Sequence, residues 1–163
     1  MKKKLSKTNA VRILEKVGIA YELRDYEVDE HDLSGTYVAR AIGLPPAQVF
    51  KTLVVHGDKT GIFLACIPTD AELGVKELAK ISGNKKIDLV PVRDIFKLTG
   101  YVRGGVSPIG IKKQYTVYVD SSAFAWSIIS LSAGVRGCQV LISPGDLGKV
   151  VKVKCHKIKK RLE

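Results

Sequence analysis

Two apolar runs, residues 51–56 and 61–67, flank the turn-forming tetrapeptide Gly57-Asp58-Lys59-Thr60. Val, Ile, Leu and Phe dominate both, so they read as the strands of a hairpin. That hairpin constrains the fold more than any other feature, because it commits the chain to a sheet with antiparallel pairing. Three further runs, TVYVD, WSIISLS and CQVLIS, read as strands, as do KKIDLV and the earlier segment IAYELRDYEV. Helices are interspersed without a regular βαβα alternation. Residues 8–17 place Ala10, Val11, Leu14 and Val17 at helical spacing before Gly18. YVARAIG follows a Ser34-Gly35-Thr36 cap and stops at Gly43. VKELAKIS puts Val75, Leu78, Ala79 and Ile81 on one side, and PVRDIFKLTG is opened by Pro91 and closed by Gly100. After Pro144-Gly145 a short turn or helix at DLGKV leads to a final strand and a basic tail. The expected class is α/β of the α+β kind: a curled, mixed, largely antiparallel sheet or barrel flanked by helices.

The 163 residues fit one domain, 1–163, with a core large enough to need neither disulfide nor metal. Ordinary composition, 45% hydrophobic and 26% charged, excludes disorder, collagen and coiled coil as whole-chain readings. The longest stretch without charge, residues 121–135, holds five serines in 15 residues and cannot span a bilayer. The N-terminus has a basic start but no apolar core of the signal-peptide kind, so a cytoplasmic location and no membrane partner are expected. Cys66, Cys138 and Cys155 are odd in number, widely spaced and without metal-ligand spacing, and the first two lie in apolar surroundings as buried fillers.

The formal charge is +11. Residues 1–16 carry +5 and residues 149–163 carry +6, so the two ends account for the excess. The middle is neutral but polarised, with six acids between Glu22 and Asp32 opposed only by Arg24. Basic ends attract phosphates, or simply keep a chain soluble. Dinucleotide, P-loop, HExxH and GxSxG motifs are absent, and His31, His56 and His156 are scattered.

Three segments suggest chemistry. Residues 100–110, GYVRGGVSPIG, are punctuated by glycine and proline yet too apolar for an exposed loop. They suit either a pocket of main-chain groups or a barrel corner. Lys51 opens an apolar strand after a Pro-Pro turn, either snorkelling to water or placing an ammonium at a pocket mouth. SAGVRG, residues 132–137, is a small-residue turn with one arginine between two apolar strands.

Taken together and in order, the VFKTL strand with Lys51, the TGYVRGGVSPIG stretch and the SAGVRG turn resemble the YbaK family of aminoacyl-tRNA trans-editing deacylases, relatives of the editing domain of bacterial prolyl-tRNA synthetases. Tyr26 in DYEVD matches a tyrosine of that family, and its GxxxP pattern falls on Gly104 to Pro108. The resemblance runs from about Asn9 to Val150 and implies the family's curled sheet flanked by helices. It also implies an enzyme that removes a mischarged amino acid from tRNA with no cofactor and no metal. Its partners would be aminoacylated tRNA and prolyl-tRNA synthetase.

The YVRGGVSPIG form looks closest to deacylases of Cys-tRNA(Pro) and Cys-tRNA(Cys), in which the substrate's own thiol expels the tRNA. Relatives that clear alanine, serine or threonine share the lysine and the GxxxP pattern, so water attack on another small aminoacyl ester stays open. So does a tRNA- or synthetase-binding module without turnover. Carried over by position, Lys51 is the catalytic residue. The amino acid would be held by Gly104, Gly105, Val106, Ser107, Pro108, Ile109 and Gly110. Tyr26, Ser132, Gly134 and Arg136 complete the implied wall. The family pattern has an aspartate just after the SAGVRG turn, where this chain has Cys138 and Gln139.

Overall fold

The structure, a computed structural model, describes residues 7–160. Of the basic ends read from the sequence, Lys2, Lys3, Lys4 and Arg161 lie outside the described residues.

In chain order the elements are α1 (Asn9–Val17), β1 (Glu22–Asp25), α2 (Gly35–Ile42), β2 (Phe50–Gly57), β3 (Gly61–Pro68), α3 (Val75–Ser82), β4 (Ile87–Leu89), α4 (Val92–Thr99), β5 (Thr116–Asp120), β6 (Ile129–Val135), β7 (Cys138–Ile142), α5 (Pro144–Leu147) and β8 (Lys152–His156). A five-stranded sheet runs β4-β2-β3-β5-β8 and a three-stranded sheet runs β1-β7-β6. The pairs β2–β3, β2–β4, β6–β7 and β1–β7 are antiparallel, whereas β3–β5 and β5–β8 are parallel. A parallel bridge between Val49 and Ser130 joins the two sheets at the entry to β2 and curls the assembly.

The unbroken apolar run of β3 follows from burial on both faces. Leu64 and Cys66 point into one core cluster, with Phe50, Val54, Val117 and Val119 from neighbouring strands, α1 (Ala10, Val11, Leu14) and the three-stranded sheet (Leu131, Val140, Ile142). Phe63, Ala65 and Ile67 alternate to the other face, where α3 covers them with Leu78 and Ala79. Local signals set the helix ends. Thr8 Oγ1 accepts from Val11 N–H at 3.2 Å and donates to the Ala133 carbonyl at 2.5 Å, so one cap also ties α1 to β6.

Three elements differ from expectation. The segment 132–137, read as a turn, continues β6 through Val135, and only Arg136 and Gly137 turn. The strand expected over residues 19–28 is paired only at Glu22–Asp25. Ile19 N–H closes the C-terminus of α1 on the Leu14 carbonyl, and at the other end β7 begins at Cys138, opposite Asp25, with one further bond from Tyr26 N–H to the Gly137 carbonyl at 2.9 Å. The basic tail is folded at least to Lys160. Ile158 is buried in the second cluster, and Lys159 forms an antiparallel bridge to Leu73. Among the described residues no helix is long and apolar enough to cross a membrane.

Asp120 holds that tail. Its Oδ1 accepts from the N–H groups of Ile158 (2.9 Å) and Lys159 (3.0 Å), and its Oδ2 accepts from Ser122. Burial opposes ionisation, but the hydrogen bonds outweigh it and hold the carboxyl below its ordinary value. A depressed carboxylate contributes stability that is full above its unfolded value near 4 and is lost as pH falls through the folded one. Asp120→Asn should therefore cost about 1–3 kcal/mol at neutral pH, since buried donors lose a charged acceptor. It should also flatten the acid limb of the melting temperature below about pH 4. Thermal melts of both proteins between pH 3 and 7 check this, and parallel acid limbs would show that Asp120 does not hold the tail.

Candidate active-site cleft

β2 changes partners along its length. Its entry is bridged to β6 at Val49, and its second half pairs with β4 from Val55 onward, where Val90 N–H also donates to the Val54 carbonyl at 2.9 Å. Between these points the outer edge of β2 has no neighbouring strand, and a cleft of about 490 Å³ opens there. Five successive residues, Phe50 to Val54, line it. Successive strand residues share an edge, never a face, so the cleft runs along the strand's backbone. Val54 turns its carbonyl to this edge. By the two-residue alternation Thr52 does the same with its N–H and C=O, leaving main-chain groups for a ligand.

The remaining walls come from four places. The start of α2 supplies Ser34, Gly35 and Thr36, and β4 with α4 supplies the apolar Leu89, Val90, Val92 and Ile95. The loop after α4 supplies Arg103, Gly104 and Val106, and the β6–β7 pair supplies Ser132 and Gln139. A side chain on Gly35 would collide with Thr69, so glycine there lets α2 close on the β3 terminus.

The glycine-rich loop is a braced platform. Tyr101 is buried, and its hydroxyl donates to the Ile109 carbonyl at 2.6 Å across the loop. Burial pushes this phenol up to about 12, so it remains a donor at any working pH. Ile109 N–H donates to Ser107 Oγ at 3.2 Å, Gly105 N–H to the Val102 carbonyl at 2.9 Å, and Arg136 Nε to the Arg103 carbonyl at 2.6 Å.

The structure brings Lys51, Gly104, Val106 and Ser132 to one cleft. Tyr26 and Arg136 line a small recess beside it, which shares Gly104, Leu33 and Val38 with the cleft. The other expected residues stand behind the wall. Gly105, Ser107, Pro108 and Ile109 are buried under the loop, Gly110 abuts Tyr101 and the start of α1, and Gly134 packs on the Tyr101 ring.

Gln139, which sequence reasoning left without a role, is in the cleft opposite Ser132 in register. Its Oε1 accepts from Ser130 Oγ at 2.8 Å, which turns the amide N–H₂ toward the cleft. Ser132 Oγ accepts from Gly134 N–H at 3.1 Å and keeps its own hydrogen for a ligand. Thr52 and Arg103, which lie within the quoted segments but were given no role, and Thr69, which lies outside them, are further polar lining residues. A strand-edge position such as Thr52 leaves no signal in sequence, because its contribution is backbone.

Among the described residues, Lys51 and Arg103 are the only charged side chains lining the cleft, and no Asp, Glu, His or Cys joins them. Lys51 is half-buried and makes no ion pair among the described residues. Cys66 and Cys138 are buried away from it, their thiols pushed up to about 12 by burial, with nearby Asp25 also raising Cys138. The cleft therefore offers two cations, hydroxyls, one amide and main-chain groups, and among the described residues no histidine, carboxylate or thiol beside those hydroxyls to activate them.

A family model for the aminoacyl-tRNA editing domain matches residues 35–150. A protein of Enterococcus faecalis that bears the provisional name Cys-tRNA(Pro)/Cys-tRNA(Cys) deacylase EbsC is 44% identical over 143 residues, which are 88% of this chain and 87% of that one. Part of the proline–tRNA ligase of Fervidobacterium nodosum is 32% identical over 75 residues, 46% of this chain and 13% of the ligase. A crystal structure provisionally described as a trans-editing enzyme for prolyl-tRNA synthetase superposes with a TM-score of 0.82 at 21% identity, covering 97% of this chain and 100% of that one. This last likeness concerns the fold.

Two adjacent glycines separate the roles within the loop. A Cβ on Gly105 would lie 3.1 Å from backbone atoms of Val135 and Arg136, so Gly105→Ala should push the loop and β6 apart by a few tenths of an ångström. Its cost is that of overpacking, about 1–3 kcal/mol, or a melting-temperature loss of roughly 2–10 °C. Gly104 has φ +87°, and its added Cβ would meet Arg136 Nε at 3.0 Å. Gly104→Ala should cost about 1–2 kcal/mol of backbone strain. It should also reduce turnover of aminoacyl-tRNA more than it reduces tRNA affinity. Melts, binding and turnover on the same preparations check both variants, and equal loss of affinity and turnover in Gly104→Ala would make that glycine purely architectural.

Proposed function

Because the chain belongs to the aminoacyl-tRNA editing domain family, we propose that it cleaves misacylated tRNA in trans, removing cysteine from Cys-tRNA(Pro) and from Cys-tRNA(Cys). The observation that carries this reading is the make-up of the cleft: charged and neutral hydrogen-bond donors beside apolar walls, with no His, carboxylate or thiol among its lining residues. An aminoacyl ester is already activated, so orientation and stabilisation of the developing oxyanion supply much of what a catalyst needs.

A cysteinyl ester also brings its own nucleophile. Its thiolate sulfur attacks the ester carbonyl carbon, the carbonyl–oxygen bond to the terminal ribose breaks, and cysteine leaves as a cyclic thiolactone. The proton given up by the thiol is restored to the ribose oxygen. On this reading Lys51 and Arg103 would favour the thiolate and the oxyanion by charge, and Ser132 and Gln139 would donate to the carbonyl oxygen. Val38, Val54, Val92 and Ile95 give the cleft an apolar wall for the aminoacyl side chain. The segment shared with proline–tRNA ligase supports action beside that enzyme, in the cytoplasm where tRNA is charged.

Deacylation assays on Cys-tRNA(Pro), Cys-tRNA(Cys), Ala-tRNA(Pro) and Ser-tRNA test the reading. Cysteine esters should turn over and alanine and serine esters should not, with the rate rising toward the thiol value near 8.5. Comparable turnover of Ala-tRNA(Pro) would establish water attack instead, and no turnover of any ester would leave a binding module. Lys51→Ala should lose roughly 10²-fold in kcat/KM, the scale of one positioned electrostatic group, at nearly unchanged melting temperature. Wild-type turnover by that variant would remove Lys51 from the chemistry.

A further inference from the structure

The two flanks of the cleft differ in charge. On the α2 side the adjoining recess is lined by Asp29 and Asp32, part of the acidic segment Glu22–Asp32, against the single cation Arg136 among its described lining. On the α4 side the sign reverses. α4 gives Val92 and Ile95 to the cleft and Phe96 to Thr99 to a second groove, which continues over Gly110 to Tyr115 into a third. These two grooves carry Lys97, Lys112, Lys113, Lys149 and Lys152, and among the described residues no carboxylate lines either.

Lys149 is paired with Asp146 at 2.8 Å, whereas Lys97, Lys112, Lys113 and Lys152 make no ion pair among the described residues. The lysine-bearing loop is fixed to α4, since Tyr115 hydroxyl donates to the Leu98 carbonyl at 3.0 Å. Phe96 stands at the start of this track with 63% of its surface exposed. Lysines beside an exposed aromatic ring suit a sugar-phosphate chain with unstacked bases near its end.

We propose that the acceptor arm of the tRNA leaves the cleft over the last turn of α4 and lies along Lys97, Lys112, Lys113 and Lys152, directed there by repulsion from the acidic α2 flank. This rests on the reading that the cleft takes aminoacyl-tRNA. It adds the route of the RNA, which sequence had assigned only to the basic ends.

Binding of uncharged tRNA by the full chain, measured between 50 and 200 mM salt, tests the surface apart from the chemistry. Lys112→Glu/Lys113→Glu should raise Kd roughly tenfold or more and make the salt slope shallower by about two. Lys76→Glu/Lys80→Glu on α3, across the five-stranded sheet, changes net charge equally and should shift Kd far less. Melting temperatures confirm that both variants are folded. In turnover, kcat/KM on Cys-tRNA(Pro) should fall more in Lys112→Glu/Lys113→Glu than kcat/KM on a short cysteinylated 3′-terminal fragment.

Unchanged affinity in the groove variant, or equal loss in both variants, overturns the proposal, the latter by showing general attraction to net charge. If the wild type cleaves no ester while the groove variant alone loses tRNA affinity, the catalytic reading fails and the surface stands.

Discussion

The geometry depends on one unshared edge. β2 bonds β3 along its whole length on one side, but on the other it is claimed by β6 at its entry and by β4 at its far end. The two sheets curl away from each other, so the middle of that edge faces space. An unpaired strand edge normally invites aggregation, and proteins cover it or make it short. Here α2, the start of α4 and the glycine-rich loop enclose it, which makes a cleft whose floor is main chain. Backbone groups suit a site that must accept an amino acid by its common atoms, because they present donors and acceptors that no side-chain substitution can remove.

The glycine-rich loop gains its rigidity from behind. Tyr101 is the centre of that support: its hydroxyl closes the loop on Ile109, and its ring fills the space where a side chain on Gly134 would stand. Gly110 abuts the same hydroxyl and the α1 backbone, and Thr8 ties α1 to β6. The loop, α1 and the β6–β7 pair are therefore one packed unit. Of the seven residues from Gly104 to Gly110, two meet the cleft and the other five place them.

Local chemistry was legible in the sequence, and long-range pairing was not. The β2–β3 hairpin, the Ser34 cap and the glycine stops of α1 and α2 are short-range signals and stand where the residue types put them. The parallel pairing of β3 with β5 and of β5 with β8 joins segments far apart in sequence, where spacing carries no information. The same division runs through the site. Motif residues identified a neighbourhood, but which of them face the cleft is decided by packing around Tyr101. Gln139 and Thr52 entered the cleft unannounced, one through strand register and the other through a missing neighbour.

A cleft whose described lining holds no histidine, carboxylate or thiol sets its own logic of selectivity. On the proposed reading, the apolar walls at Val38, Val54, Val92 and Ile95 can exclude large side chains, but they discriminate poorly among small ones. Serine and cysteine differ by one atom, and a pocket of this kind separates such pairs weakly. Requiring the substrate to supply the nucleophile removes the difficulty. A thiol is a few per cent ionised near neutral pH, whereas a hydroxyl is not, and the cations at Lys51 and Arg103 widen that difference. The absence of a general base then becomes the selective feature, because a base strong enough to activate water would cleave any small aminoacyl ester that fits. Selectivity for the tRNA body would have to come from outside the cleft, where the lysine track beside α4 and the acidic flank by α2 give the surface a direction.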